Sequence, residues 1–250
     1  MKHRKAPRRV KLTIAYQGTQ YQGWQRQKRF RSIQETIEKL LSNLLSEKID
    51  LTASGRTDAG VHALAQVASF VHHSAFPTTR LCYVLNYHLP DDILILCAED
   101  VEPDFHPRYS ARGKIYQYKI DNSVNKDPLK SYLVWHVPEP LDLDKMKEAA
   151  AYWIGEHDFA TFRSQGSSAK TTVRRIEAIE FHKEGTLVTL TFRGNGFLYN
   201  MVRIMTAVLV LIGKGSLEPS DAGRLLDAKE RTMAPWTAPP QGLYLTEVFY

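Results

Sequence analysis

Phe197-Leu-Tyr-Asn-Met-Val-Arg-Ile-Met-Thr-Ala-Val-Leu-Val-Leu-Ile212 is the stretch on which the fold class turns. It is sixteen residues long and strongly apolar, and it carries Asn200 and Arg203. A helix crossing a bilayer needs about 20 apolar residues. The run is therefore read as a buried core helix, with Gly213 as its C-cap. Upstream, 174–182 and 187–192 read as a hairpin around Glu184-Gly185. Downstream, Pro219-Ser220 opens a helix and 243–250 is a final strand. Before the hairpin, 115–120 reads as a strand and 142–154 as a helix with Asp142 or Asp144 near its N-cap.

The first part of the chain has a similar order. Val10-Lys-Leu-Thr-Ile-Ala-Tyr16 alternates apolar and polar residues, the period of a half-buried strand. Gln17–Arg31 is a basic, glutamine-rich loop. Ser32-Ile-Gln-Glu35 is a capping box. It opens a helix whose apolar face is Ile33, Ile37, Leu40, Leu41 and Leu44. A short strand at 51–54, a longer one at 61–71, a helix at 79–88 and a strand at 93–98 follow. The elements lack the regular βα rhythm of a parallel sheet, so the expected class is α+β with mostly antiparallel pairing. No clear repeat is visible, although two similar α+β halves fit the order of elements.

The chain has 250 residues, 43% hydrophobic and 24% charged, which is enough apolar material for a core and excludes disorder. Cys82 and Cys97 are the only cysteines, too few for a disulfide framework or a cysteine metal cluster. A reduced cytoplasmic setting is expected. No apolar stretch follows the basic N-terminus, so no secretory signal is expected. The net charge is +6. Residues 1–31 hold ten Lys or Arg and no acid, and Asp58 is the one carboxylate between Asp50 and Asp91. Residues 105–120 and 185–217 are also basic and acid-free. Four such runs point to a polyanion, and nucleic acid is the natural candidate. Ordinary solvated surface is the plainer alternative for each run alone.

Standard signatures are missing. Gly194-Asn-Gly196 is too short for a dinucleotide fingerprint, and Gly213-Lys-Gly-Ser216 lacks P-loop spacing. Among nine histidines no pair has metal spacing with nearby acids, so no metal site is expected. Two segments carry chemistry. In Gly55-Arg-Thr-Asp-Ala-Gly-Val-His-Ala63, two glycines bracket a turn that holds one carboxylate at a fixed place, with Arg56 beside it. An aspartate in an acid-free, basic setting is expected to have a lowered pKa and to stay ionised. That suits a nucleophile; an Asx-turn aspartate capping its own loop is the structural alternative. In Phe105-His-Pro-Arg-Tyr-Ser-Ala-Arg-Gly-Lys-Ile-Tyr-Gln-Tyr118, aromatics interleave with cations. This pattern stacks bases and pairs phosphates, or else marks an edge strand on which Tyr116 and Tyr118 pack.

The 55–63 loop resembles the active-site loop of the TruA family of tRNA pseudouridine synthases, and the likeness runs over nearly the whole chain. Residues 105–116 resemble the family's second motif. Asp158-Phe-Ala-Thr-Phe-Arg-Ser164, Gly194-Asn-Gly-Phe-Leu-Tyr-Asn-Met-Val-Arg203 and Pro239-Pro-Gln-Gly-Leu-Tyr-Leu245 resemble the later ones in order. The loop after Trp24, Gln25-Arg-Gln-Lys-Arg-Phe-Arg-Ser32, is more basic than the family's usual turn, and Pro107 stands where a small residue is usual.

The resemblance implies an enzyme that isomerises uridine to pseudouridine at positions 38, 39 and 40 of the tRNA anticodon stem-loop. It implies two RNP-like α+β halves, 1–105 and 106–250, with sheets joined across a basic cleft. It also implies a homodimer in which one tRNA touches both subunits, with tRNA as partner, no cofactor, no metal and no membrane. Asp58 matches the catalytic aspartate and Arg56 the arginine that helps extrude the base. Tyr116 matches the tyrosine that stacks on the uracil, Arg203 the arginine that pairs with the aspartate, and Leu245 the apolar residue that closes the pocket. Two other readings stand beside this one. A tRNA-binding module that no longer catalyses would show a damaged loop, and the loop is intact. A metal-free nuclease would need an added general base, such as a histidine pair, which is not identifiable.

Overall fold

Alternation with a period of two makes the first strand. In β1 (Arg8–Tyr16), Val10, Leu12, Ile14 and Tyr16 are buried, and the residues between them are half-buried. The computed structural model describes residues 6–166 and 169–250. Strand β1 lies between β3 (His62–His72) and β4 (Ile93–Val101), antiparallel to both, with Leu12 opposite Ala68 and Ala98. Strand β4 carries a bulge, because Thr13 faces Cys97 while Ile14 faces Ile95. Asn86 of α2 (Leu81–His88) serves the backbone there. Its side chain donates to Ile95 O at 2.9 Å and accepts from Ile95 N at 2.8 Å.

Helix α1 (Ile33–Leu45) begins where the capping box places it, with Ser32 Oγ accepting from Glu35 N at 3.3 Å. Ile33, Ile37, Leu41 and Leu45 are its buried stripe, and Leu40 and Leu44 are half-buried at its edge. The one buried acid on this face, Glu38, is answered by three donors: Arg26 Nη1 at 2.7 Å, and Gln34 Nε2 and Leu51 N at 2.8 Å. A buried carboxylate is tolerated when it is paired in this way. β2 (Thr52–Ala53) pairs with β3.

The chain divides into two compact units: one runs to Arg112 and is completed by Leu245–Tyr250, and the other is Gly113–Tyr244. Segment 105–112 belongs to the first unit because the C-terminal segment holds it. Arg112 N donates to Phe249 O at 2.9 Å, the Tyr250 hydroxyl donates to Pro107 O at 2.9 Å, and the Phe105 and Tyr250 rings lie 5.0 Å apart. Leu245 and the residues after it in β10 (Leu243–Phe249) therefore count with the first unit.

In the second unit β5 (Gly113–Asp121), β9 (Leu187–Gly194), β8 (Val173–Glu184) and β7 (Gly155–Asp158) pair antiparallel in that order. β6 (Trp135–His136) runs parallel to β5. The hairpin between β8 and β9 turns at Gly185, whose φ of +57° suits glycine. Asp142 caps α3 (Leu143–Ala151), accepting from Asp144 N and Lys145 N at 3.1 Å each. α5 (Asp221–Ala228) follows Pro219-Ser220. The class is α+β with mostly antiparallel pairing, as expected.

Helix α4 (Met201–Gly213) corrects the reading of the apolar run at both ends. It begins at 201 and not 197, because Asn200 takes a left-handed conformation (φ 61°, ψ 6°) that an α-helix cannot pass through. Gly213 is its last helical residue and not its cap. The left-handed position falls on Gly215 (φ +74°), with Ser216 N donating to Leu211 O at 2.8 Å. Gly213 has a different task, packing against the α3 segment: a Cβ there would lie 2.7 Å from Met146 Sδ and 3.1 Å from Leu141 Cδ2. Eleven of the thirteen α4 residues are buried, so the helix is wrapped by protein on nearly every side. Among the described residues, no helix is long and apolar enough to cross a membrane.

Candidate active site

Gly55–Gly60 links β2 to β3, and its backbone groups are taken up by the surrounding chain. Gln66 is buried on β3; it donates through Nε2 to Gly55 O at 3.0 Å and accepts through Oε1 from Ser54 Oγ at 2.7 Å. Thr57 O accepts from Trp24 N at 3.0 Å, and Gly60 N donates to Tyr21 O at 3.3 Å. The turn closes with Val61 N donating to Asp58 O at 3.1 Å. Thr57 is buried, with its hydroxyl 2.7 Å from the Tyr16 hydroxyl. This leaves Arg56 exposed and Asp58 half-buried on a loop whose frame is fixed.

The bracing comes from the segment between β1 and α1, and sequence reasoning missed it. A Cβ on Gly18 would fall 2.0 Å from Val61 O, and one on Gly23 (φ +87°) would fall 2.5 Å from Thr57 O. Both glycines therefore allow backbone to lie directly on backbone. Gly18 N also donates to His62 Nδ1 at 3.1 Å. The available signal was two glycines five residues apart in a segment otherwise read as a basic loop. Tyr21 and Trp24 in that segment are buried. The Tyr21 hydroxyl donates to Asp92 Oδ1, and the Arg31 guanidinium lies 4.6 Å from its ring centroid. Burial, then the Asp92 hydrogen bond, raises the Tyr21 pKa. Burial also pushes the Tyr16 phenol up to about 12, with the Thr57 bond acting in the opposite direction. Leu245, the fifth expected site residue, is wholly buried in this unit's part of β10.

The second unit holds the other two. Tyr116 is half-buried on β5, and Phe197 meets it edge-on with centroids 5.2 Å apart. Arg203 lies in the first turn of α4. Its Nε donates to Ala238 O at 2.7 Å and its Nη1 to Asn200 Oδ1 at 2.8 Å. Asn200 is held in turn, donating through Nδ2 to Ser164 Oγ at 3.0 Å. Segment 197–203 therefore touches Tyr116 at its start and orients Arg203 at its end. The 238–242 segment is fixed from below: the buried Tyr118 hydroxyl donates to Pro239 O at 2.6 Å, and a Cβ on Gly242 would lie 2.6 Å from Tyr118 Cε1. Burial raises the Tyr118 pKa, and the Arg203 charge opposes that rise. The supporting roles of Asn200, Ala238 and Tyr118 were not read from sequence: Ala238 acts through its main-chain carbonyl, and Asn200 and Tyr118 act through side chains whose partners are distant in the chain. Among the described residues, no group of three or more His, Cys, Asp or Glu is placed to hold a metal ion.

Comparison with known proteins gives the same family as the motif resemblance. Residues 12–110 and 149–250 match the family described as tRNA pseudouridine synthase. A protein of Acetivibrio thermocellus named tRNA pseudouridine synthase A is 46% identical over 243 residues, covering 97% of this chain and all of that one. Proteins of the same name from Pelobacter propionicus and Ruminiclostridium cellulolyticum are 46% and 44% identical, each over 97% of this chain and the full length of the relative.

Two outcomes follow from the bracing of the loop. Gly23→Ala adds both an unfavourable φ and a collision with backbone, and a strained residue of this kind costs about 1–3 kcal/mol. Denaturant unfolding should show that loss, and hydrogen exchange should show the Trp24 and Gly60 amides losing protection first. Tyr16 supplies a pH signature. Burial pushes its phenol from the ordinary tyrosine value of 10.0 up to about 12. Its stabilising effect is complete below pH 10 and is lost as pH rises towards 12, because the unfolded chain releases its proton first. Urea unfolding between pH 9 and pH 12 should show stability falling, and Tyr16→Phe should make that fall shallower.

Proposed function

We propose, from the premise that this chain belongs to the tRNA pseudouridine synthase family, that Asp58 is the nucleophile of a uridine-to-pseudouridine isomerisation in tRNA. The observation that carries this reading is the loop itself: one carboxylate, in a segment without another acid, on a backbone braced from 16–24 and 66. The remaining roles proposed here rest on the motif resemblance. Arg56 helps extrude the base, Tyr116 stacks on the uracil and takes part in proton transfer, Arg203 pairs with the carboxylate, and Leu245 supplies apolar closure. The substrate positions are uridines 38, 39 and 40 of the anticodon stem-loop, and the working form is a homodimer in the cytoplasm. Light scattering at twice the chain mass would support the dimer; a single-chain mass would remove it.

The chemistry sets what these residues must do. The base first leaves the stack, at a cost of a few kcal/mol. Asp58 bonds covalently to the everted nucleoside, and the N1–C1′ bond breaks. The uracil turns, C5 joins C1′, the bond to Asp58 breaks and returns the free carboxylate, the C5 proton departs and N1 gains one. The product has the same atoms as the substrate and the same oxidation level, so nothing enters or leaves except protons. The freed ring must be kept from water and from escape, which is work for an aromatic wall and an apolar lid. Recognition rests on tRNA shape and phosphates, because the A-form major groove is closed to side chains, so binding weakens steeply with salt.

The test uses tRNA tritiated at uracil C5. Wild-type protein should release the label, and Asp58→Asn should release none while binding tRNA within a few-fold of wild type. An affinity loss of many-fold in Asp58→Asn would make the residue structural. Retained label with tight wild-type binding would reduce the protein to a binding module, and cut tRNA would make it a nuclease. Tyr116→Phe keeps the ring and removes the hydroxyl, so turnover should drop at unchanged affinity. Full turnover in that variant would end its role in proton transfer.

A further inference from the structure

Residues 106–110 were read from sequence either as part of an edge strand or as a base-stacking element, and the structure makes them a closed turn ahead of β5. Ser110 N donates to His106 O at 2.9 Å, and His106 N donates to Ser110 Oγ at 3.2 Å. His106 Nδ1 accepts from Arg108 N at 3.1 Å and from Tyr109 N at 3.3 Å, so in this turn the ring proton belongs on Nε2. The base of the turn is anchored: Pro107 is buried, its carbonyl takes the Tyr250 hydroxyl, and Phe105 packs on the Tyr250 ring. Lys11 Nζ sits 5.8 Å and 5.6 Å from those two ring centroids.

Such a frame would be elaborate for a turn that presented nothing. What it presents is Tyr109, 79% exposed, with the His106 imidazole behind it at 4.3 Å and 36° between planes. The Arg108 guanidinium lies 6.0 Å from the same ring. The run 105–120 carries Arg108, Arg112, Lys114 and Lys119 and no acid. The buried core of a protein interface is a more apolar patch than the surface around it, and Tyr109 is the one large hydrophobic side chain exposed within 105–112. An exposed flat ring with a cation at its side fits a nucleobase and its phosphate.

We propose that the 106–110 turn is a stacking platform for an unpaired base of the RNA substrate, with Tyr109 as the stacking ring and Arg108 as the contact to a neighbouring phosphate. The platform is distinct from the residues assigned to the reaction and rests on the reading of the substrate as tRNA. Because the turn is already closed by its own hydrogen bonds, little ordering remains to be done on binding. Stacking of this kind tolerates any base, so the platform positions RNA without selecting sequence.

Fluorescence anisotropy of labelled tRNA, with the full-length protein at several KCl concentrations, tests it. Tyr109→Ala and Tyr109→Leu should each raise Kd about ten-fold or more, within the range for loss of one stacked base. Tyr109→Phe should stay within about two-fold, since stacking uses the ring face alone. All three should keep the wild-type slope of log Kd against log salt, whereas Arg108→Gln should lower that slope by about one. Unfolding midpoints for the exposed Tyr109 should not move. Tyr109→Ala binding like wild type would overturn the proposal, as would Leu retaining full affinity or Phe losing as much as Ala. These failures differ from failure of the functional reading, which would show as wild-type protein neither binding tRNA nor releasing tritium.

Discussion

Two backbones in direct contact set the terms for the first unit. Gly18 and Gly23 lie against Val61 and Thr57 so closely that no side-chain carbon fits between them. With no intervening side chains to adjust, the position of the 55–60 loop is coupled to β1 and α1 through hydrogen bonds at Trp24, Gly60 and the Tyr16–Thr57 pair. A loop that carries a reacting group has to hold it to within a fraction of an ångström, and surface loops are ordinarily the least ordered part of a fold. Here the loop is given the rigidity of the sheet beside it.

The second unit solves a similar problem with side chains. Arg203 has a long, flexible stem that would be free on an exposed helix. Bonds from Nε to Ala238 O and from Nη1 to Asn200 Oδ1 fix the plane of its guanidinium. Asn200 can reach it because its left-handed backbone halts the chain one residue before α4. The strained residue is thus both the reason the helix starts where it does and the reason the arginine has a defined direction. The Tyr118–Pro239 bond then ties the far support, segment 238–242, to the sheet.

The parts of the fold that depend on periodicity were legible from the residues alone. The alternation of 10–16, the Ser32 cap, the Glu184-Gly185 hairpin and the Asp142 cap all stand where local chemistry places them. The two-residue strands β2 and β6 and the four-residue β7 are too short for a periodic signal, and of these only β2 was anticipated. The ends of α4 were misjudged because the apolar run continues through Asn200, and because a helix-terminal glycine reads as a cap whether it turns the chain or merely gives room to Met146. At the candidate site, the residues with reactive side chains were proposed from motifs. Of their supports, Gly18, Gly23 and Ala238 act through absent or main-chain atoms, and Asn200 acts through a side chain aimed by its left-handed backbone; spacing alone does not announce such roles.

The return of Leu245–Tyr250 to the first unit makes that unit discontinuous, with all of Gly113–Tyr244 inserted within it. Order of synthesis then constrains assembly. The earlier segment of that unit is made without its closing strand, and the contacts of Phe105, Pro107 and Arg112 with Phe249 and Tyr250 cannot form until those two residues emerge. The inserted unit has its whole sequence available earlier. Maturation of the earlier-made part therefore waits on the later one, and a nascent chain cut short anywhere in the insertion leaves the 105–112 segment unlatched, a ready mark by which an unfinished copy differs from a finished one.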